Sequence, residues 1–326
     1  MRTVSDFMLR LVNEIKEKRN LDVSTATNYM RILFKLNADR PFNNLAWLKN
    51  VDSVNVRLEE YAKSTQRSYI TAIVSMLSLY KDKPTYKKIY AYWYGEMMDR
   101  GNAEKQEDSK VKSERQEKNW VSWDVVKGHT ERLWEEANKI KDRKELSASD
   151  WDTFLSMMVL SLYTEFAPRR NQDYQYMKVV MDPKKATDNA FNYFVVQTGE
   201  FVFHKYKTAR TYGEQKFSVP KELLEVIHLY ISKHPLNKGK WKYAPFFLVT
   251  FDGKPLVSVN SITRILNRIF GKSVGSSMLR HIYLSSKYNV AEMDADADKM
   301  GHSSEVQHKY MKGEGETVSE VQLPSV

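Results

Sequence analysis

Towards the end of this 326-residue chain stand side chains suited to one kind of chemistry. Arg280 is followed by His281, Gly301 by His302, and Tyr310 stands eight residues beyond that histidine. Planar guanidinium donors can hold the non-bridging oxygens of a phosphodiester, an imidazole can add another donor, and a phenol can attack phosphorus. Such a set could move a phosphoryl group without a metal ion. Further back, Arg169 and Arg170 lie in tandem behind an apolar run that Pro168 ends, with Asp173 three residues after Arg170. Guanidiniums beside a core are costly unless they meet an anion, and Asp173 could orient Arg170 through a charge-assisted bond. Lys207, in Lys205-Tyr206-Lys207-Thr208, falls between two strand-like runs, an exposed place from which an ammonium can enter a substrate. Taken singly, each also fits an ordinary role: a surface ion pair, a turn lysine, a packed tyrosine.

These residues need elements to hold them. Ser5 stands at an N-cap position ahead of Phe7, Leu9, Leu11, Val12 and Ile15, which predicts a helix over 6–18. Ser24 and Ser64 do the same for helices carrying Tyr29 to Leu36, which Pro41 ends, and Tyr69 to Tyr80, and a further helix should follow Pro84. Residues 101–119 hold five charges of each sign and one aliphatic side chain larger than alanine, so they read as a linker or an exposed helix. Helices then resume over 120–140 and over 151–166, the latter capped by Ser147 or Ser149. The strand signals are Phe191–Val196, Glu200–Lys207 and Gln215–Val219, with later helices starting at Pro220 and after Ser258 or Asn260. The expectation is a mainly α fold with a small antiparallel three-stranded sheet, in two domains, 1–100 and 120–326.

Composition narrows the partners. Lys and Arg number 51 against 41 Asp and Glu, a net charge of +10, which favours a polyanion. Residues 1–100 hold 17 of the basic and 11 of the acidic groups, six of that surplus. Arg67, Lys81, Lys83, Lys87 and Lys88, interleaved with Tyr69, Tyr80 and Tyr86, could follow a DNA backbone, or the tyrosines could be core and the lysines a solvated face. Lys205 offers a further contact beside Lys207. With no cysteine, disulfides, thiolate metal sites and cysteine nucleophiles are excluded. No run approaches the ~18 apolar residues of a membrane span, so an intracellular protein without membrane contact is expected.

Beyond Gly301, Ser304 with Gln307 fits a capping box, Lys309 and Lys312 lie near a helix C-terminus, and Gly313 fits its C-cap, so Tyr310 should ride on a short helix. Such a helix is marginal by itself. Residues 317–323 could form a strand that docks on a neighbouring protomer, or a frayed tail.

Together, Arg170 with Asp173, Lys207, Arg280, His302 and Tyr310 resemble, in order, the signature of the tyrosine recombinases, the phage-type integrases. The resemblance implies a helical core-binding domain ahead of a mixed α/β catalytic domain, and DNA strands cut and rejoined through a 3′-phosphotyrosine. It implies Arg170, Arg280 and His302 as phosphate donors, Lys207 as general acid and Tyr310 as nucleophile, with Asp173, Ser277 and His281 in support. No metal or other cofactor is implied. The partners would be double-stranded DNA and three further copies of the chain, a tetramer on DNA assembled from monomers or dimers. Two departures stand out: Ser277 where the family usually has histidine three before the second arginine, and a His302–Tyr310 spacing of eight, one fewer than is usual. A residue lost within the helix would turn the tyrosine by roughly 100°, so the turn before it is where the loss is expected. Type IB topoisomerases and hairpin-forming resolvases share these positions, and a DNA-binding protein that has lost catalysis would keep the fold. The wording Pro168-Arg169-Arg170 and Met300-Gly301-His302-Ser303 resembles integrases of eukaryotic mobile elements and large DNA viruses more than bacterial ones.

Overall fold

The computed structural model describes residues 4–106, 112–237, 245–256, 258, 260–286, 296 and 299–301. The chain forms two compact units, Met1–Asp108 and Ser109–Val326. Their boundary falls within the charged span 101–119, parts of which are helical.

The first unit holds α1 (Asp6–Lys18), α2 (Val23–Leu36), a 3-10 turn (Ala46–Lys49), α3 (Val51–Glu59), α4 (Lys63–Leu77) and α5 (Pro84–Gln106). Ser5 caps α1 by accepting from Met8 N (3.3 Å), and its hydroxyl donates to the Phe42 carbonyl (2.6 Å). One side chain thereby fixes both the start of α1 and a loop far along the chain. Leu11 and Ile15, a helical turn apart, are buried against Leu33, Ile70, Ile73 and Trp93. The Trp93 indole N–H, which burial would otherwise orphan, donates to the Leu48 carbonyl (3.0 Å). Helix starts differ from the sequence reading at two places: Asp22, not Ser24, is at the N-cap of α2, and Ala62, not Ser64, precedes α4. Chain α2 ends at Leu36, ahead of Pro41.

The second unit opens with α6 (Glu114–Asn119) and α7 (Trp123–Ile140), followed by α8 (Ala148–Thr164) and α9 (Asn171–Gln175). Ser147 and Asp150 close a capping box at the start of α8, and Arg143 reaches the same carboxylate at 2.6 Å. From Phe154 to Tyr163 every side chain of α8 is buried, as suits a helix enclosed on all sides by α7, α11 (Lys221–Lys233), α12 (Ser261–Phe270) and α13 (Ser276–Ser286).

The sheet is mixed and four-stranded, in the order β1 (Lys178–Val180), β2 (Tyr193–Val195), β3 (Glu200–Phe203), β4 (Gln215–Ser218). This corrects the expected three-stranded antiparallel sheet. β1 joins β2 in parallel, Val179 opposite Phe194, while β2–β3 and β3–β4 are antiparallel. With three residues and no alternation, β1 carries no period for a sequence reading to detect, and its pairing depends on the return of residues 181–192. The other strands are shorter than expected: β3 stops at Phe203, and a loop and a single-turn helix, α10 (Ala209–Tyr212), lead to β4. Phe194, Phe201 and Phe203 are buried with Phe166 and Tyr174, joining the inner face of the sheet to the helices. No helix among the described residues is long and apolar enough to cross a membrane.

At the C-cap of α11 sits a buried histidine. The His234 Nε2 faces the Phe246 carbonyl (3.1 Å) and Nδ1 accepts from Leu236 N (3.2 Å), a pair of bonds that one neutral tautomer satisfies. Burial lowers its pKa to about 4. The unfolded chain, with an ordinary imidazole near 6.5, binds more protons than the folded one between those values. This contribution to stability is therefore full above about pH 6.5 and is lost as pH falls towards 4, by up to about 3 kcal/mol. The expected result for His234→Gln, whose amide can keep both bonds, is a shallower loss of Tm between pH 7 and 4.5 than in the parent. Identical slopes would remove His234 from the acid response.

Candidate functional site

Arg170, in extended backbone, is the N-cap residue of α9, and Arg169 precedes it directly behind Pro168. Arg169 turns inward and is fully buried; Arg170 turns outward and is half-buried. The Arg169 Nε donates to Asp173 Oδ2 at 2.8 Å, with both side chains inaccessible to solvent. Its Nη1 donates to Gln215 Oε1 (3.1 Å) and to the Lys299 carbonyl. The guanidinium lies over the Phe203 ring at 3.9 Å, with Tyr206 next at 5.0 Å. Asp173 therefore pairs with Arg169, which corrects the expectation that it orients Arg170. The reason is the offset: Asp173 lies in the first turn of α9, four residues after Arg169, and from there its carboxylate meets the Arg169 guanidinium. Burial pushes the Asp173 carboxyl above its usual range, and Arg169, then Arg170 and Arg280, oppose that push.

Lys207 lies where the sequence reading puts it, between β3 and β4, but on the broad loop 204–208 rather than a tight hairpin tip. Its side chain and that of Lys205 are exposed, while the loop around them is fastened down. Tyr206 packs under Arg169 and donates its hydroxyl to the Gly213 carbonyl (2.8 Å). Thr208 Oγ1 donates to the Gly301 carbonyl, and the buried Asn192 amide bonds to His204 and Lys205.

Arg280 is buried on α13, close enough to Asp173 and Tyr163 to act on the charge of both. Ser277 is exposed and His281 half-buried on the same helix. With Arg115, Asn267 and Ser273 they line a cleft of about 400 Å³.

The segment behind them returns at Asp296, which accepts from the Tyr283 hydroxyl (2.9 Å) and Lys299 Nζ (3.3 Å). Met300 is buried, and Gly301 has φ +68°, a conformation that favours glycine. A Cβ at Gly301 would come within 3.1 Å of Arg169 Nη2 and 3.2 Å of the Tyr206 ring. The Gly301 carbonyl also accepts from Arg170 Nη1 at 3.4 Å. The described residues thus bring Arg170 and the Lys207 loop to Gly301, with Arg169 beside it and paired to Asp173, on whose charge Arg280 acts. His302, Tyr310, the expected short helix that carries the tyrosine and the tail beyond it lie outside the described residues.

Of the residues proposed to grip DNA, Lys81, Lys83 and Lys87 are exposed before and at the start of α5, and Arg67 is half-buried on α4. The interleaved tyrosines Tyr69, Tyr80 and Tyr86 are half-buried and pack against the first unit's core, and the Tyr80 hydroxyl donates to Glu14 Oε2 at 2.5 Å. Sequence reasoning missed Asn192, Thr208 and the inward role of Arg169. Only Arg169 left a signal, as the first member of a tandem pair. No group of three or more His, Asp or Glu side chains set to hold a metal ion occurs among the described residues.

Compared with protein-family models, curated proteins and solved structures, the chain matches none.

Loss of the buried carboxylate should strand a buried cation. Asp173→Ala is expected to lower unfolding free energy in urea by about 3–5 kcal/mol, and Arg170→Ala by about 1 kcal/mol. The reverse order would mean that Asp173 serves Arg170 after all.

Proposed function

We propose that this protein is a tyrosine-type site-specific DNA recombinase, which cleaves and rejoins strands through a 3′-phosphotyrosyl intermediate. The observation that carries the reading is the meeting at Gly301 of groups far apart in sequence: Arg170 and Thr208 both bond its carbonyl, and His302 is the next residue. Support also comes from the motif order Arg170, Lys207, Arg280, His302, Tyr310 along the chain.

In this mechanism Arg170 and Arg280, with His302, bind the non-bridging oxygens and stabilise the charge that grows on them as phosphorus is attacked. The Tyr310 oxygen bonds to phosphorus and releases its proton to water, while the bond from phosphorus to the 5′ oxygen breaks. Lys207 donates its proton to that leaving oxygen. Energy is conserved in the phosphotyrosine, so a 5′ hydroxyl from another strand reverses the step. Four protomers around two duplexes would exchange strands in turn, and the basic face at Lys81, Lys83 and Lys87 would neutralise backbone phosphates.

The test uses a pool of randomised duplexes nicked so that the short 5′ product diffuses away and cleavage is trapped. In EDTA, the parent should form an adduct that survives SDS, Tyr310→Phe should form none while still shifting DNA, and sequencing of the trapped DNA should yield the preferred duplex. Strict dependence on magnesium, or an undiminished adduct in Tyr310→Phe, would overturn the reading. Relaxation of supercoiled plasmid by monomers without sequence preference would move it to a type IB topoisomerase.

A further inference from the structure

Asn192 opens the approach to β2 and is buried, yet its carboxamide uses its full bonding capacity. Nδ2 donates to the Asp173 carbonyl (2.7 Å) and the Lys205 carbonyl (2.9 Å); Oδ1 accepts from His204 N (2.9 Å) and Lys205 N (2.7 Å). Two donors and two acceptor lone pairs are all that an amide offers. Three pieces of chain meet in this one group: α9 at the residue that pairs with Arg169, the start of β2, and the loop that carries Lys207.

We infer that Asn192 is a positioning residue for Lys207, fixing the loop backbone against Asp173 so that the lysine is rooted at a set distance from the phosphate ligands. This rests on the strand-cleavage function proposed above. A lysine has a long, flexible stem, and a loop between strands is ordinarily mobile. Where the ammonium can reach is therefore set by where its backbone is held. On the near side of Lys207 the Asn192 amide holds residues 204 and 205; on the far side Thr208 is bonded to Gly301. Aspartate at 192 would keep the shape but replace two N–H donors with an oxygen facing the Asp173 and Lys205 carbonyls, and the loop would detach. An error near 1 Å in a catalytic group costs on the order of 100-fold in rate.

The experiment compares cleavage of the duplex selected above with the same duplex carrying sulfur in place of the bridging 5′ oxygen. A thiol, with a pKa of about 8.5, leaves as thiolate and needs no proton, whereas an alcohol does. Asn192→Asp and Asn192→Ser are used beside Asn192→Ala, so that failure of one to fold leaves the others, and melting temperatures are recorded for each. On the oxygen-linked duplex the Asn192 variants should lose about 10–100-fold, and on the sulfur-linked duplex that deficit should shrink to about threefold or less. Lys207→Ala should show the same pattern, and adding Asn192→Asp to it should cost nothing further. Amide exchange at 204–208 should quicken in Asn192→Asp. If Lys207→Ala is rescued by sulfur but the Asn192 variants are equally slow on both duplexes, the positioning role is overturned. If Lys207→Ala is not rescued, the general acid of the proposed function is wrong, and the inference goes with it.

Discussion

A buried ion pair sits where the helical and sheet parts of the second unit meet, and the arrangement of the candidate site follows from satisfying it. Taking a guanidinium and a carboxylate out of water is unfavourable unless their remaining bonding capacity is met. Arg169 meets much of its share by recruiting neighbours: the Gln215 side chain from β4, the Lys299 carbonyl from the returning segment, and the Phe203 face from β3. Each recruit belongs to a different element, so the pair fixes α9, two strands and residues 299–301 relative to one another. An apolar pair of the same size could fill the space but would not specify those partners.

From that frame the exposed groups follow. Arg169 and Arg170 are consecutive, and with Arg169 fully buried the half-buried Arg170 reaches the Gly301 carbonyl. Gly301 itself must be glycine on two counts, its positive φ and the lack of room beside Arg169 Nη2 and Tyr206. Tyr206 touches both the guanidinium and Gly301, so the loop bearing Lys207 and the segment leading to His302 are packed as one piece. In the proposed recombinase this makes the tandem arginines a division of labour: Arg169 supports, Arg170 binds phosphate.

Much of the helical framework was legible in the sequence because its signals are local. Ser5, Ser147 and the stripe Leu11–Ile15 declare themselves within a few residues, and the place of Lys207 between two strands followed from runs of aromatic and β-branched residues. What escaped depends on distant partners. β1 is three residues that become a strand only against β2, and α3 with the preceding 3-10 turn is too short to show a period. The spacing rule that joined Asp173 to Arg170 failed because the chain changes from extended to helical between them. Asn192 passes unremarked inside the strand signal Phe191–Val196, since all four of its bonds run to backbone at least twelve residues away.

The division between the two arginines can be tested by removing the charge that one of them is proposed to hold. On the duplex selected for cleavage, a methylphosphonate at the scissile position replaces one charged non-bridging oxygen with a neutral methyl group, so an arginine that neutralised it is no longer needed. Arg170→Ala should be strongly impaired on the phosphodiester and recover on the methylphosphonate, whereas Arg169→Lys should show the same relative loss on both. Recovery by the Arg169 variant, or equal impairment of a folded Arg170→Ala on both duplexes, would contradict the assignment.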